Sequence, residues 1–296
     1  MKLINLLPLF ALLALAACNP YGYGPARDYS KFVSAKLIGD GQKVVFTAKL
    51  LAYRPATGWN AFPDGGIPKY VRDEDVLGIY DMETREARIV VRRENEEWQP
   101  GQGEYFVSHI SGDKAVVTEG GQRRDDYMSD YRMSMFDVDT GEFTPLPLKE
   151  ELARRGLGMG YFYLLNGDGD ILIVARPLMK AAGKEPPKTD DNALQEFWLR
   201  SPGGGFTHVG RDGDYNGFEG GEVFFYSFGE RRVFATDVKT GVVRDAGRYT
   251  PPMQPDAVRD VRIGFTGQPG TGSLEVWVKR GESWEFSERL MELGEI

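Results

Sequence analysis

Cysteine is almost missing from this chain: 296 residues contain one, Cys18. No disulfide can form within it, so stability must come from a packed core. Histidine is nearly as scarce, with His109 and His208 alone. Zinc sites draw three or four ligands from His, Cys and acidic side chains, so two isolated His on expected strands read as packed or hydrogen-bonded residues. No GxSxG or P-loop motif occurs. Ser108 and His109 cannot act as nucleophile and base for each other, because neighbours on a strand point to opposite faces. Helical periodicity is confined to "PLKEELARRG" (147–156), where Leu148 and Leu152 lie four apart and Gly156 supplies a stop. Basic residues are in deficit, 36 against 44 acidic, for a net charge of −8. That balance suits neither nucleic acid nor an anionic membrane surface, and no nucleic-acid partner is expected. No apolar run is long enough to cross a bilayer comfortably, which takes about 20 residues.

Glycine, proline and aromatics are plentiful: 37 Gly, 17 Pro, 17 Phe, 14 Tyr and 5 Trp. Such a composition points to many short strands joined by turns. The length admits one domain or two small ones.

The first stretch carries an address. Lys2 is the one charge before Cys18, and 3–17 is apolar apart from Asn5, with Pro8 inside. A positive start, an apolar middle and small residues before a cut site read as a secretory signal. Its ending, Leu15-Ala16-Ala17-Cys18, resembles the lipobox of bacterial lipoproteins. The resemblance implies cleavage before Cys18 and a lipidated Cys18, with a thioether-linked diacylglycerol and a third acyl chain. Several acyl chains give stable anchoring. In that family Asp after the Cys favours the inner membrane. Asn19 stands there instead, which implies the outer membrane facing the periplasm. The next residues, "NPYGYGPARDYSK", read as a flexible tether.

Beyond the tether two turn classes recur. One follows a short strand: "KLIGDGQKVVF" (36–46), "HISGDKAVV" (109–117) and "LLNGDGDILIV" (164–174). The other joins a second strand pair: "GIYDMETREARIV" (78–90), "SMFDVDTGEFTPL" (134–146) and "FATDVKTGVVRDA" (234–246). Looser copies are "FWLRSPGGGFTHV" (197–209) and "VWVKRGESWEFSE" (276–288). Four strands per repeat at this irregular period predict an all-β fold, a β-propeller of about five blades with six as the alternative. Blades four and five lack a clear innermost strand in the sequence. The turn "LIGDGQKVVF" is similar to TolB-like repeats, and "GGEVFFYSFGERRVFATDVKTG" (220–241) to quinoprotein-like ones. Each likeness covers one turn and its strands. The quinoprotein tryptophan pattern is missing, because Trp59, Trp98, Trp198, Trp277 and Trp284 do not recur at matched positions. The expected organisation is a signal peptide over 1–17, lipidated Cys18 and tether over 18–31, and a propeller over 32–296.

The two turn classes would lie on one end of the propeller and longer connections on the other. Those connections include 53–75, 120–130 and 177–194 between second and third strands. The linkers 95–103 and 210–222 run between blades. Function usually collects on long loops held by a rigid scaffold. Candidate binding residues there are Trp59, Phe62 and Tyr70, then Arg123 and Arg124, then Tyr215 and Phe218. Exposed aromatics could stack on sugars or anchor a protein partner, or else fold back as the loop's own core. Arg123 and Arg124 sit beside Asp125 and Asp126 and could equally be self-paired. Asp212, Asp214 and Asn216 alternate ahead of Gly217 like the opening of an EF-hand calcium loop. The twelfth position is Val223 rather than Glu, and the competing reading is a polar turn. No cofactor is required, with calcium the one candidate. No catalytic residue can be named.

These features favour a membrane-anchored envelope lipoprotein whose propeller binds or scaffolds a protein or cell-wall partner. The alternative is a propeller hydrolase or lyase acting on a carbohydrate or lactone through a carboxylate cluster. Carboxylates converging at the channel mouth would favour the enzyme, an aromatic rim the binder.

Overall fold

The computed structural model describes residues 22–38, 41–57, 66–94, 105–120, 132–179, 188–190, 193–248, 261–268 and 270–296. Its described strands form five sheets that follow one another along the chain. Blade one holds β1 (Arg27–Asp28), β2 (Lys31–Ile38), β3 (Lys43–Arg54), β4 (Lys69–Asp81) and β5 (Glu86–Glu94). Blade two holds β6 (Tyr105–Ser111), β7 (Lys114–Glu119), β8 (Arg132–Asp137) and β9 (Phe143–Pro145). Blade three holds β10 (Leu157–Leu164), β11 (Ile171–Pro177), β12 (Glu196–Arg200) and β13 (Phe206–Arg211). Blade four holds β14 (Gly213–Glu219), β15 (Glu222–Ser227), β16 (Arg232–Asp237) and β17 (Val243–Gly247). Blade five holds β18 (Val261–Thr266), β19 (Ser273–Arg280) and β20 (Ser283–Glu292). Each sheet is an antiparallel meander, the arrangement of a β-propeller blade. The helix expected near 147–156 is α1 (Leu148–Ala153), with Leu148 and Leu152 fully buried and Gly156 at φ 73° behind it.

Burial explains the strand sequences. The second strand of each blade is covered on both faces by neighbouring blades, so it reads as a continuous apolar run instead of an alternation. Val44 to Leu50 of β3 are all buried, as are Ala115 to Val117 of β7 and Ile171 to Ala175 of β11. One core lies between blades one and two, built from Val45, Leu77, Ile79, Val107, Val117 and Phe136. A second joins blades two and three through Val116, Met133, Phe162 and Ile173. Leu172, Phe197, Val223 and Phe225 join blades three and four.

The ring closes by packing. Leu274, Met291 and Leu293 of the last blade enter one cluster with Phe32, Phe46 and Val76 of the first. The Gly270 amide donates to the Ser30 carbonyl at 2.8 Å, and Arg92 donates to the Ile296 carbonyl. Among the described residues blade five has three strands, and β1 stays beside β3 in blade one. Gly270, between β18 and β19, sits beside Asp28 and Ser30 at the end where β2 begins, so the turn of 276–288 between β19 and β20 lies at the same end as the turns it resembles.

Candidate binding surface at the central strands

The short turns are fixed by one carboxylate each. Asp81 Oδ1 accepts the amides of Glu83 and Thr84, both at 2.9 Å. Asp137 Oδ1 accepts the Thr140 amide at 2.9 Å, while Asp237 Oδ1 accepts those of Lys239 and Thr240 at 3.0 and 2.7 Å. The left-handed position that ends each turn is Arg85, Gly141 or Gly241, at φ 60°, 78° and 70°. Hydrogen bonds to a charged carboxylate favour its ionised form. The Lys114 ammonium, 2.6 Å away, and then the Thr140 amide bring Asp137 down to about 2. These turns occupy one end of the propeller. That end holds a shallow groove edged by Lys43, Arg88 and Asp139, in which Lys43 is already paired with Asp139 at 2.5 Å.

The stretch 210–222 departs from its expected form. It is the innermost strand of blade four, and the interblade connection shrinks to Asp212. Asp212 takes φ 54° to turn the corner, its amide donates to the Gln195 carbonyl and its carbonyl accepts the Phe228 amide. Gly213 is required there, because a Cβ would lie 1.9 Å from the Tyr226 carbonyl oxygen and 2.5 Å from the Phe225 ring. Asp214 and Asn216 follow on β14, with Asn216 in a β-bulge opposite Phe224 and Phe225. Asp214 and Asn216 of the EF-hand likeness thus belong to a strand, and Asp212 to the corner before it. Among the described residues no group of three His, Cys, Asp or Glu is placed to hold a metal. In blade five β18 ends beside Ser30 at the long-loop end, so it runs in the direction of the second strands of the other blades.

Four innermost strands are described along the channel wall: β2, β6, β10 and β14. Each carries a bulge near the middle, at Val33, Ser108, Gly160 and Asn216. Bulges bend a strand and re-aim side chains. Phe106 and Tyr161 stand exposed on β6 and β10. Carboxylates are few: Asp214 and Glu219, both on β14, are all that these four strands contain. His109 packs against Phe162 with ring centroids 4.3 Å apart, and burial then the nearby Lys36 charge push its imidazole pKa down. Tyr215 and Phe218 pack half-buried against the core between blades three and four. Tyr215 lies 4.7 Å from the Tyr163 ring, and burial pushes its hydroxyl up to about 12.

A second polar assembly lies at the long-loop end, between blades one and two. Lys49, Asp75 and Arg93 are opposite one another on β3, β4 and β5. Lys49 Nζ lies 2.5 Å from Asp73 and 3.1 Å from Asp75. Arg93 donates to Asp75 at 2.9 Å and to Glu119 on blade two, with its guanidinium 5.0 Å from the Tyr105 ring centre. These carboxylates are committed to cations, which removes them as free acids or bases. Tyr70 lies on β4 and not in a loop. Its ring is 5.9 Å from Tyr53, which stacks on Tyr29 at 4.5 Å, and burial raises the Tyr70 hydroxyl pKa.

The ionic assembly was not singled out in the sequence, although a lysine inside the apolar run "VVFTAKLL" already demanded a buried partner. Cys18, Leu15, Ala16 and Ala17 lie outside the described residues, as do Trp59, Phe62, Arg123 and Arg124. From Gly22 onward the chain is hydrogen-bonded along blade one. No helix among the described residues is long and apolar enough to cross a membrane.

No family model matches the chain, and no curated protein does. Among solved structures it is similar to an oligogalacturonate lyase in complex with manganese, at 11% identity and a TM-score of 0.38, over 88% of this chain and 65% of that one. An oligogalacturonate lyase from Vibrio parahaemolyticus gives 13% identity and a TM-score of 0.36, over 90% and 68%. The β-propeller domain of the Trilobed protease from Pyrococcus furiosus gives 9% and 0.32, over 88% and 84%. This chain thus spans just under two thirds of the first of these. Likeness at this level carries no activity across, and the propeller rests on its own strand order.

Proposed function

We propose that this chain is a lipoprotein of the cell envelope, anchored through Cys18 at the outer membrane and facing the periplasm. Its propeller serves as a binding or scaffold module for an envelope protein or a cell-wall component, and it requires no cofactor. One observation carries the binding reading. The described innermost strands present exposed Phe106 and Tyr161, while their two carboxylates sit together on one strand. Aromatic rims suit stacking and protein contact. Glycoside hydrolysis instead needs two carboxyl groups flanking one bond.

The test is a photo-cross-linking amino acid placed at Phe106 or Tyr161 in cells, with exposed Phe143 on the outer strand of blade two as control. The binding reading expects a discrete adduct from the channel positions and none from the control. Turnover of a polysaccharide or lactone by the purified protein, lost in Asp214→Asn, would replace this reading with the enzymatic one.

A further inference from the structure

We propose that the long-loop end of the propeller, at its blade-one corner, lies against the membrane surface. This rests on the reading that Cys18 carries the anchor. The path of the chain supplies the geometry. Thr57 donates its amide to the Gly22 carbonyl at 2.9 Å, and Gly24 donates to the Pro55 carbonyl at 2.9 Å. Tyr23 is bridged to Ala56, Arg27 pairs with Tyr53 and Asp28 with Ala52. Residues 22–28 therefore run antiparallel along the outgoing end of β3, which puts Gly22 at that end. Four steps of chain separate Cys18 from Gly22, a reach of at most about 14 Å. The far end of β3, at Lys43, is roughly 36 Å away by strand rise. An anchor so short holds the long-loop end near the bilayer and keeps the other end out of reach.

The side chains agree with this placement. Ile67 is 80% exposed and Val71 56%, both at the start of β4, and Tyr23 is exposed beside them. Met179, Leu194 and Phe228 are exposed at the same end on blades three and four. Apolar side chains with no protein cover suit the boundary between headgroups and acyl chains. Arg27, Arg54 and Lys69 gather at the same strand ends, Arg54 directly opposite Lys69. Basic residues next to an anchor attract anionic headgroups even where the whole chain is acidic. The opposite end carries the turn carboxylates Asp81, Asp137 and Asp237, which such a surface repels. The short-turn mouth of the channel would then be the one open to a partner.

The test uses the full lipidated chain in vesicles of zwitterionic and anionic phospholipid containing a headgroup-level spin-labelled lipid. Val71→Cys and Val242→Cys each carry a fluorophore, the second on an exposed short turn of blade four. Phe228→Cys replaces Val71→Cys if that variant melts below the parent. The expected result is quenching at least about threefold stronger at position 71 or 228 than at 242, as for side chains seated in the interface. Equal quenching, or more at 242, with Cys18 acylated by intact mass overturns the orientation and leaves the anchor standing. An unacylated Cys18 overturns both.

Discussion

Asp137 shows how much one side chain settles. Its carboxylate takes an ammonium at 2.6 Å and a backbone amide at 2.9 Å, and its pKa falls to about 2. An acid whose folded pKa lies below its unfolded value stabilises the fold above the unfolded pKa. That contribution is lost as pH falls from about 4 toward 2. Asp81 and Asp237 are shifted in the same direction, chiefly by the Thr84 and Thr240 amides. The melting temperature should drop through that window, and the drop should be shallower in Asp137→Asn. Parallel curves for the two proteins would refute the assignment. Gly78 makes a steric case: a Cβ there would meet the Phe46 ring at 2.4 Å. Gly78→Ala should cost about 1–3 kcal/mol in chemical denaturation. Phe46→Leu is destabilising alone, but in the double variant Gly78→Ala should cost clearly less. Strict additivity would contradict the clash. The Asp-centred turns were legible in the sequence because their bonds are local. The Gly78–Phe46 contact was not, because it needs the cross-strand register.

At the scale of elements, β14 separates composition from context. "RDGDYNG" has the residues of a turn or a calcium loop, and its neighbours make it a strand. Phe225 and the Tyr226 carbonyl occupy the space that a side chain at 213 would need, so the glycine serves a close approach. Gly213→Ala should lower stability by several kcal/mol or abolish folding. Gly203→Ala, where nothing lies within 4 Å, should change it by less than about 1 kcal/mol. Chelation should leave the melting temperature unchanged, since Asp214 and Asn216 belong to the ladder. A loss of several degrees, restored by calcium but not magnesium, would contradict that reading. The buried ladder at β3–β5 makes a sharper demand. Asp75 is fully buried between Lys49 and Arg93, and removing one member of such a pair costs about 3–5 kcal/mol. Asp75→Ala should show a loss of that order in urea unfolding, and Lys49→Met should recover part of it. No recovery would mean that Lys49 is not the charge left stranded.

For the whole molecule, the repeated turns and strand runs were enough to predict about five blades. The ring closure was beyond reach, because it depends on Leu274 and Met291 meeting Phe46 across the length of the chain. The channel wall was also illegible, since knowing that Phe106 and Tyr161 are exposed there requires knowing which strands are innermost. The account's central claim is that this propeller is held at the envelope by a lipid on Cys18. The most direct measurement is the intact mass of the protein extracted from the membranes of a bacterium with two membranes, beside that of Cys18→Ala. The account predicts a mature chain beginning at Cys18 that carries a diacylglyceryl group and a further acyl chain, and an uncut, unlipidated variant. A parent chain that is unmodified, or cut elsewhere, would contradict it.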